Sequence, residues 1–251
     1  MAFPKAVSIV GYKDAGKTLV VEAVVRGLVE RGYRVGTLKH SAEDESLDKP
    51  GSDTWRHAEA GAHSSAIIST TRTAIFHKHA MTIQKAVDAL GSIDYLVIEG
   101  FKSLDLAPRI AVPRASTEIE SLKTGLEIAI VDTGNIMVDN YNIPVFKLSD
   151  ADFLTDTVEK MAFPLLSGLN CKTCGYSSCR ELGMAILRGE STYEKCVKYH
   201  SNIILKVDGT IIPMNSFVQL TFKNVIKGLV KSLKDAGESK RIEIEIEDDK
   251  I

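Results

Sequence analysis

Two sets of residues in this chain have the types and the spacing to do chemistry. The first is Gly11-Tyr12-Lys13-Asp14-Ala15-Gly16-Lys17-Thr18, which reads G-x-x-x-x-G-K-[ST]. Its two glycines allow a tight turn in which successive backbone N–H groups face inward, where phosphate oxygens can be held. Lys17 has the reach for β- and γ-phosphates, and the Thr18 hydroxyl can bind Mg²⁺. Gly11, Lys13, Asp14, Ala15, Gly16, Lys17 and Thr18 are therefore the candidate nucleotide-binding residues. The second set is Cys171-x2-Cys174-x4-Cys179-x16-Cys196, which holds all four cysteines of the chain. Four thiolates grouped in this way can bind one [4Fe–4S] cluster or one zinc ion. Zinc sites usually come as two close cysteine pairs, whereas this is a tight triple with a distant fourth.

The elements needed to position the first set are legible. Lys5–Val10 is a short apolar run rich in β-branched residues, as expected of a buried parallel strand. Thr18–Glu30 spaces its apolar residues as a helix does. Strand, glycine loop and helix are the context the motif requires. Tyr95–Ile98 is a second buried strand and ends in Glu99-Gly100. A carboxylate at that end of a strand, beside the phosphate loop, can bind Mg²⁺ or orient an attacking water.

Further strands are expected at Arg34–Leu38, Ser65–Ser69, Thr73–Phe76, Arg109–Val112, Glu127–Val131 and Pro144–Phe146, and helices at Thr82–Leu90 and Asp150–Met161. Residues 40–55 are polar, carry Pro50 and Gly51, and read as a loop. Strands alternating with helices predict an α/β fold: a doubly wound, mostly parallel sheet with the nucleotide at the carboxyl ends of its strands. The composition changes at Phe163–Asn170, which divides the chain into a nucleotide domain (1–163), a four-cysteine helical module (164–200) and a tail (201–251). In the tail, two β-rich runs flank Asp208-Gly209, a strong hairpin signal. A helix over Ser216–Lys234 with Asn215 as its N-cap follows, and then an alternating strand over Arg241–Glu247, giving a ββαβ order.

The 251 residues carry a formal charge of −2 and near-average composition, which argues against a nucleic-acid or membrane-surface role. No run of 18 apolar residues appears, and the N-terminus leads straight into a strand, so a cytoplasmic protein is expected. In a reduced compartment, grouped cysteines point to metal rather than to disulfides.

The phosphate loop, Leu38-Lys39-His40, the stretch Asp48 to Arg56 (DKPGSDTWR), Ala60-Gly61-Ala62 and Ile98-Glu99-Gly100-Phe101-Lys102 occur in the order found in the molybdopterin-guanine dinucleotide biosynthesis protein B (MobB) family. Residues 5–160 resemble that family. The resemblance implies a GTP-binding protein, usually a homodimer, that assists a partner molybdopterin guanylyltransferase, with molybdoenzyme apoproteins as possible further partners. Weak GTPase activity is implied too. Asp48 and Asp53 lie in a polar Pro-Gly segment able to meet γ-phosphate and Mg²⁺, and Arg56 can neutralise phosphate charge or pair with Asp53. The candidate catalytic set is thus Lys17, Glu99, Asp53 and Arg56, and the candidate Mg²⁺ ligands are Thr18, Asp48 and Glu99. The family's histidine pattern after His40 is replaced by Ser41-Ala42-Glu43-Asp44-Glu45, and His57, His63, His77 and His79 have no ligand spacing. No N-K-x-D segment for guanine occurs, so the preference for GTP over ATP comes from the resemblance; Asp132 is a weak candidate for reading the base.

The run from Cys171 to Cys196 also resembles the small iron–sulfur domain of corrinoid iron–sulfur proteins, including its Cys-Gly pair, Ala185-Ile186 and Gly189, but lacks the Pro-Gly that often follows the last cysteine. Two other functions are open at this point. One is a nucleotide-gated electron donor, although such reductases typically carry a lysine where Tyr12 stands here. The other is a non-catalytic scaffold with a zinc-stiffened tail.

Overall fold

The computed structural model describes residues 3–41, 47–134, 141–200, 203, 205–208, 210–212, 214, 216–234 and 242–246. The apolar run at the start forms β1 (Lys5–Gly11), buried from Ala6 onward. It feeds through the glycine loop into α1 (Lys17–Glu30), whose Val20, Val24 and Leu28 recur at helical spacing and are all buried. The chain continues through β2 (Val35–Lys39), α2 (Asp53–Glu59), β3 (Ser64–Ile68), β4 (Thr73–His77), α3 (Ile83–Ala89) and β5 (Tyr95–Glu99). Then come β6 (Arg109–Val112), α4 (Ile119–Leu122), β7 (Glu127–Asp132), β8 (Val145–Lys147), α5 (Ala151–Met161) and β9 (Phe163–Pro164).

A seven-stranded sheet in the order β2-β5-β1-β6-β7-β8, with β9 alongside β1, forms the frame of the molecule. Every pairing on the main path is parallel, and only β9 runs antiparallel. Successive residues of a strand face opposite sides, so β1 divides its side chains between two cores. Val7 and Ile9 face α1 and α5, with Leu28, Leu154 and Val158 in the same cluster. Ala6 faces the other way, in a cluster with Leu96, Ile98, Leu104 and Leu165, over which Ile83 and Val87 of α3 pack. Apolar cores on both sheet faces are what the expected doubly wound α/β architecture requires.

Three local details differ from the sequence expectations. The polar stretch at 40–55 gives way to α2 at Asp53, capped by the Ser52 hydroxyl, which accepts from the Trp55 N–H at 3.2 Å. That helix is only seven residues long, too short for apolar periodicity to declare it. The composition change at Phe163 contains a strand, because Phe163 and Pro164 pair with Ala6 and Lys5. In the tail, β10 (Leu205–Val207) and β11 (Thr210–Ile212) form the expected hairpin, and α8 (Ser216–Lys231) follows. Residues 242–246 of the alternating segment form no strand, since no ladder partner stands beside them among the described residues. Gly209 and Asn215 lie outside the described residues, as do residues 42–46.

Between sheet and tail, α6 (Cys179–Leu187) and α7 (Val197–His200) carry the cysteine-rich stretch. Leu182 of α6 joins Phe163, Leu166, Cys179 and Cys196 in one buried cluster. The cysteine module is therefore built onto the last strand of the sheet domain rather than tethered by a linker.

Candidate functional site

The phosphate loop joins the carboxyl end of β1 to α1, between the ends of β5 and β6. Gly11 pairs with Val112 of β6, and a Cβ placed on it would lie 2.3 Å from the Val112 carbonyl oxygen, a backbone atom that cannot turn aside. Only glycine fits there. At the other end of the loop Gly16 takes φ 81°, a left-handed conformation that turns the chain into the helix. No side chain caps α1. Its first-turn N–H groups therefore face the loop's hollow, and the positive end of the helix adds to their pull on an anion. Asp14 is also left-handed at φ 60°, and the Thr133 hydroxyl bonds the Ala15 carbonyl at 2.9 Å, bracing the loop from the end of β7.

Lys17 is half-buried, and its Nζ donates to the Tyr12 carbonyl at 2.6 Å, folding back over its own loop. Burial lowers the Lys17 pKa, opposed by the nearby Glu99 and Asp14 carboxylates and reinforced by the Lys102 and Lys39 ammonium groups. A half-buried ammonium among other cations is a place where a polyanion gains more than it would in open water. The Thr18 hydroxyl donates to the Glu99 carboxylate at 3.1 Å. A hydroxyl and a carboxylate, both hard oxygen donors, thus meet at the edge of the loop; this is the chemistry by which Mg²⁺ is held beside phosphates. Glu99 itself is fixed by the end of β5, and the Gly100 N–H bonds the Ile9 carbonyl at 2.9 Å.

The loop residues Gly11 to Thr18 and Glu99 are brought together. The Asp48–Arg56 segment has a different role in the present geometry. Asp48 accepts from the Lys49 N–H at 2.8 Å and the Ser52 hydroxyl at 3.0 Å, so it organises the turn into α2. Hydrogen bonds from Thr54, Ser52 and the Lys49 N–H lower its pKa. Asp53 and Arg56 are exposed on α2, and among the described residues no ion pair joins them to each other. Asp132, the weak base-reading candidate, is nearly buried and accepts from the Gly134 N–H at 2.8 Å.

Sequence reasoning missed Arg109, which is 1 % exposed and donates to the carbonyls of Leu122 (3.1 Å), Lys102 (2.9 Å) and Leu104 (3.1 Å) and to the Asp105 carboxylate (3.1 Å). It ties down the segment that follows Glu99. The available signal was an arginine opening an otherwise apolar four-residue strand, RIAV.

None of the four cysteines is in a disulfide. Cys174, Cys179 and Cys196 border one apolar cluster, while Cys171 is half-exposed on the loop before α6. Cys179 opens α6, and its own N–H bonds the Asn170 Oδ1 at 2.8 Å. The Ser167 hydroxyl stands 3.7 Å from the Cys179 Sγ. The loop has left-handed residues at Asn170 (φ 46°), Lys172 (φ 60°) and Gly175 (φ 87°), which turn it tightly, and the Gly175 N–H bonds the Lys172 carbonyl at 2.9 Å. Among the described residues no three His, Cys, Asp or Glu side chains are gathered tightly enough to hold a metal as they stand. The donor set nonetheless fits an iron–sulfur cluster: four cysteines in one stretch, three of them against an apolar cluster.

With this geometry in place, comparison with known proteins is specific. A family model described as "Molybdopterin guanine dinucleotide synthesis protein B" matches residues 6–133, and one described as "Putative Fe-S cluster" matches residues 166–198. A Methanocaldococcus jannaschii protein named as a "Putative molybdopterin-guanine dinucleotide biosynthesis adapter protein" is 32% identical over 250 residues, 98% of this chain and 99% of the relative. An Escherichia coli molybdopterin-guanine dinucleotide biosynthesis adapter protein is 24% identical over 153 residues, 59% of this chain and 87% of its own. The crystal structure of Bacillus subtilis MobB superposes with a TM-score of 0.53 at 25% identity, covering 61% of this chain and 97% of that one. The archaeal relative thus runs through the cysteine module and the tail, whereas the Escherichia coli and Bacillus subtilis proteins align with a little over half of the chain. This chain belongs to the molybdopterin guanine dinucleotide synthesis protein B family.

Proposed function

We propose that this protein binds GTP with Mg²⁺ in the phosphate loop and acts as an adapter in the making of molybdopterin guanine dinucleotide, alongside a guanylyltransferase that attaches the nucleotide. The observation that carries the reading is the meeting of Thr18 and Glu99 at 3.1 Å beside the half-buried Lys17. The loop N–H groups and α1 would hold the phosphates, and Lys17 would leave the Tyr12 carbonyl for them. Thr18 and Glu99 would hold Mg²⁺, which would supply positive charge to neutralise the phosphates. Asp48, Asp53 and Arg56 lie in the segment best suited to close over the nucleotide. GTP hydrolysis would be slow, because Arg114, which reaches the Lys13 carbonyl of the loop at 3.4 Å, is held by Glu118, and charge on the transferring phosphate would await a partner's cation.

Cys171, Cys174, Cys179 and Cys196 would hold a [4Fe–4S] cluster, which can carry an electron or stiffen the module. A homodimer in the cytoplasm is the expected state. Anaerobic titration of the purified protein with GTP and ATP, with iron, sulfide and zinc measured on the same sample, tests the reading. GTP should bind more tightly than ATP, with iron and sulfide in the proportions of a [4Fe–4S] cluster. Failure to bind either nucleotide would remove the first half of the proposal, and stoichiometric zinc without iron would remove the second.

A further inference from the structure

We infer that Lys102 is a second phosphate-binding cation of this site, the group that distinguishes a nucleoside triphosphate from a diphosphate; the inference rests on the nucleotide reading above. Lys102 Nζ lies 3.4 Å from the centroid of the Tyr12 ring, while Lys17 Nζ bonds the carbonyl of the same residue at 2.6 Å. Two ammonium groups therefore gather on one residue of the phosphate loop, and Lys102 is one of the two cations whose field acts on Lys17. Like charges brought together in this way repel until an anion comes between them. A ring face is a weak partner for an ammonium compared with a phosphate oxygen, so Tyr12 is a resting place that Lys102 leaves readily.

The backbone aims Lys102 at this spot. Gly100 and Phe101 are both left-handed, at φ 88° and φ 51°, which turns the chain back sharply after Glu99. A non-glycine residue in that conformation is strained and persists only where its surroundings hold it. The buried Arg109 does so, donating to the Lys102 carbonyl at 2.9 Å. The position favours the terminal phosphate. The amides toward α1 cradle the inner phosphates, whereas Tyr12 stands at the opposite end of the loop, directly after Gly11. Arg114 also faces the Tyr12 ring, 5.2 Å from its centroid, but its guanidinium is engaged by Glu118 at 2.8 Å and 2.5 Å. Lys102 is exposed, so its substitution leaves the core untouched.

The test is equilibrium binding of GTP and GDP, each with Mg²⁺, to the wild type, Lys102→Met and Lys102→Arg. Lys102→Met should lose about tenfold in GTP affinity while GDP affinity stays within about twofold, and Lys102→Arg should keep most of the preference. An unchanged GTP affinity in Lys102→Met, or an equal fall for both nucleotides, would overturn the assignment. GDP binding by the wild type and Lys102→Met alike would show that the site stands even then. A wild type that binds neither nucleotide would sink the site and this inference together.

Discussion

Replacing Arg109 by methionine tests how the segment behind Glu99 is held in place. The guanidinium is 1 % exposed and serves three backbone carbonyls and one carboxylate. Removing a buried charge recovers its desolvation cost, and replacing both members of a buried pair by apolar groups is often neutral. Here only one member goes. The Asp105 carboxylate is 32% exposed and can rehydrate, but the Leu122 and Leu104 carbonyls have no route to water. Two stranded carbonyls at about 1–3 kcal/mol each, less part of the recovered desolvation, leave a net loss of about 3 kcal/mol. For a protein of this size that lowers the Tm by about 6–12 °C. Thermal unfolding gives the number, and hydrogen exchange over residues 101–106 should speed up in the variant. Asp105→Asn, which touches only the half-wet end of the network, should cost far less. An Arg109→Met protein that melts within about 2 °C of the wild type with unchanged exchange would show that the guanidinium does not organise this loop.

Lys17→Ala should weaken GTP binding by about 2–3 kcal/mol, or about 30- to 150-fold, measured by calorimetry. In Gly11→Ala the new methyl meets the Val112 carbonyl, so β1 and β6 must part; a loss of about 2 kcal/mol in a urea titration and weaker nucleotide binding are expected. Cys171→Ser should abolish iron incorporation and leave GTP affinity within about twofold, because Cys171 is half-exposed on a loop of the cysteine module. The Arg34 guanidinium, with the Arg34 backbone N–H, holds the Asp94 carboxyl at about 2. That pKa is depressed in the folded state, so its stabilisation is present above the unfolded value near 4 and is lost as pH falls toward 2. Asp94→Asn should therefore narrow the stability difference from the wild type as an acid titration is carried from pH 4 to pH 2. Equal gaps at both ends would contradict the pairing.

The elements around the candidate site that were legible in the sequence are those where local pattern and chemistry coincide. A β-branched run, two glycines at fixed spacing and a helical apolar stripe leave few alternatives, and the structure has β1, the loop and α1 in that order. Glu99 was legible because an apolar strand ended on a carboxylate, and Thr82 as a helix start because its hydroxyl can cap, as it does for the Lys85 N–H. What the sequence hid depends on contacts between distant segments. Nothing local announces that Phe163 and Pro164 return to pair beside Lys5 and Ala6, more than 150 residues away. Arg109 looks like a strand-edge cation until its partners at 102, 104, 105 and 122 are seen around it. The alternation over Arg241–Glu247 met the pattern for a strand, yet residues 242–246 form none, since a strand needs a neighbour as well as a pattern.

The central claim is that the amides of Gly11 to Thr18, with Lys17, Thr18 and Glu99, form a seat for magnesium-bound triphosphate. A crystal structure of the protein with a non-hydrolysable GTP analogue and Mg²⁺ tests it most directly. The expected result is triphosphate density in the loop, with Lys17 moved from the Tyr12 carbonyl to the phosphates and the metal against Thr18 and Glu99. An empty loop at saturating analogue, with Lys17 still bonded to Tyr12, would contradict the account.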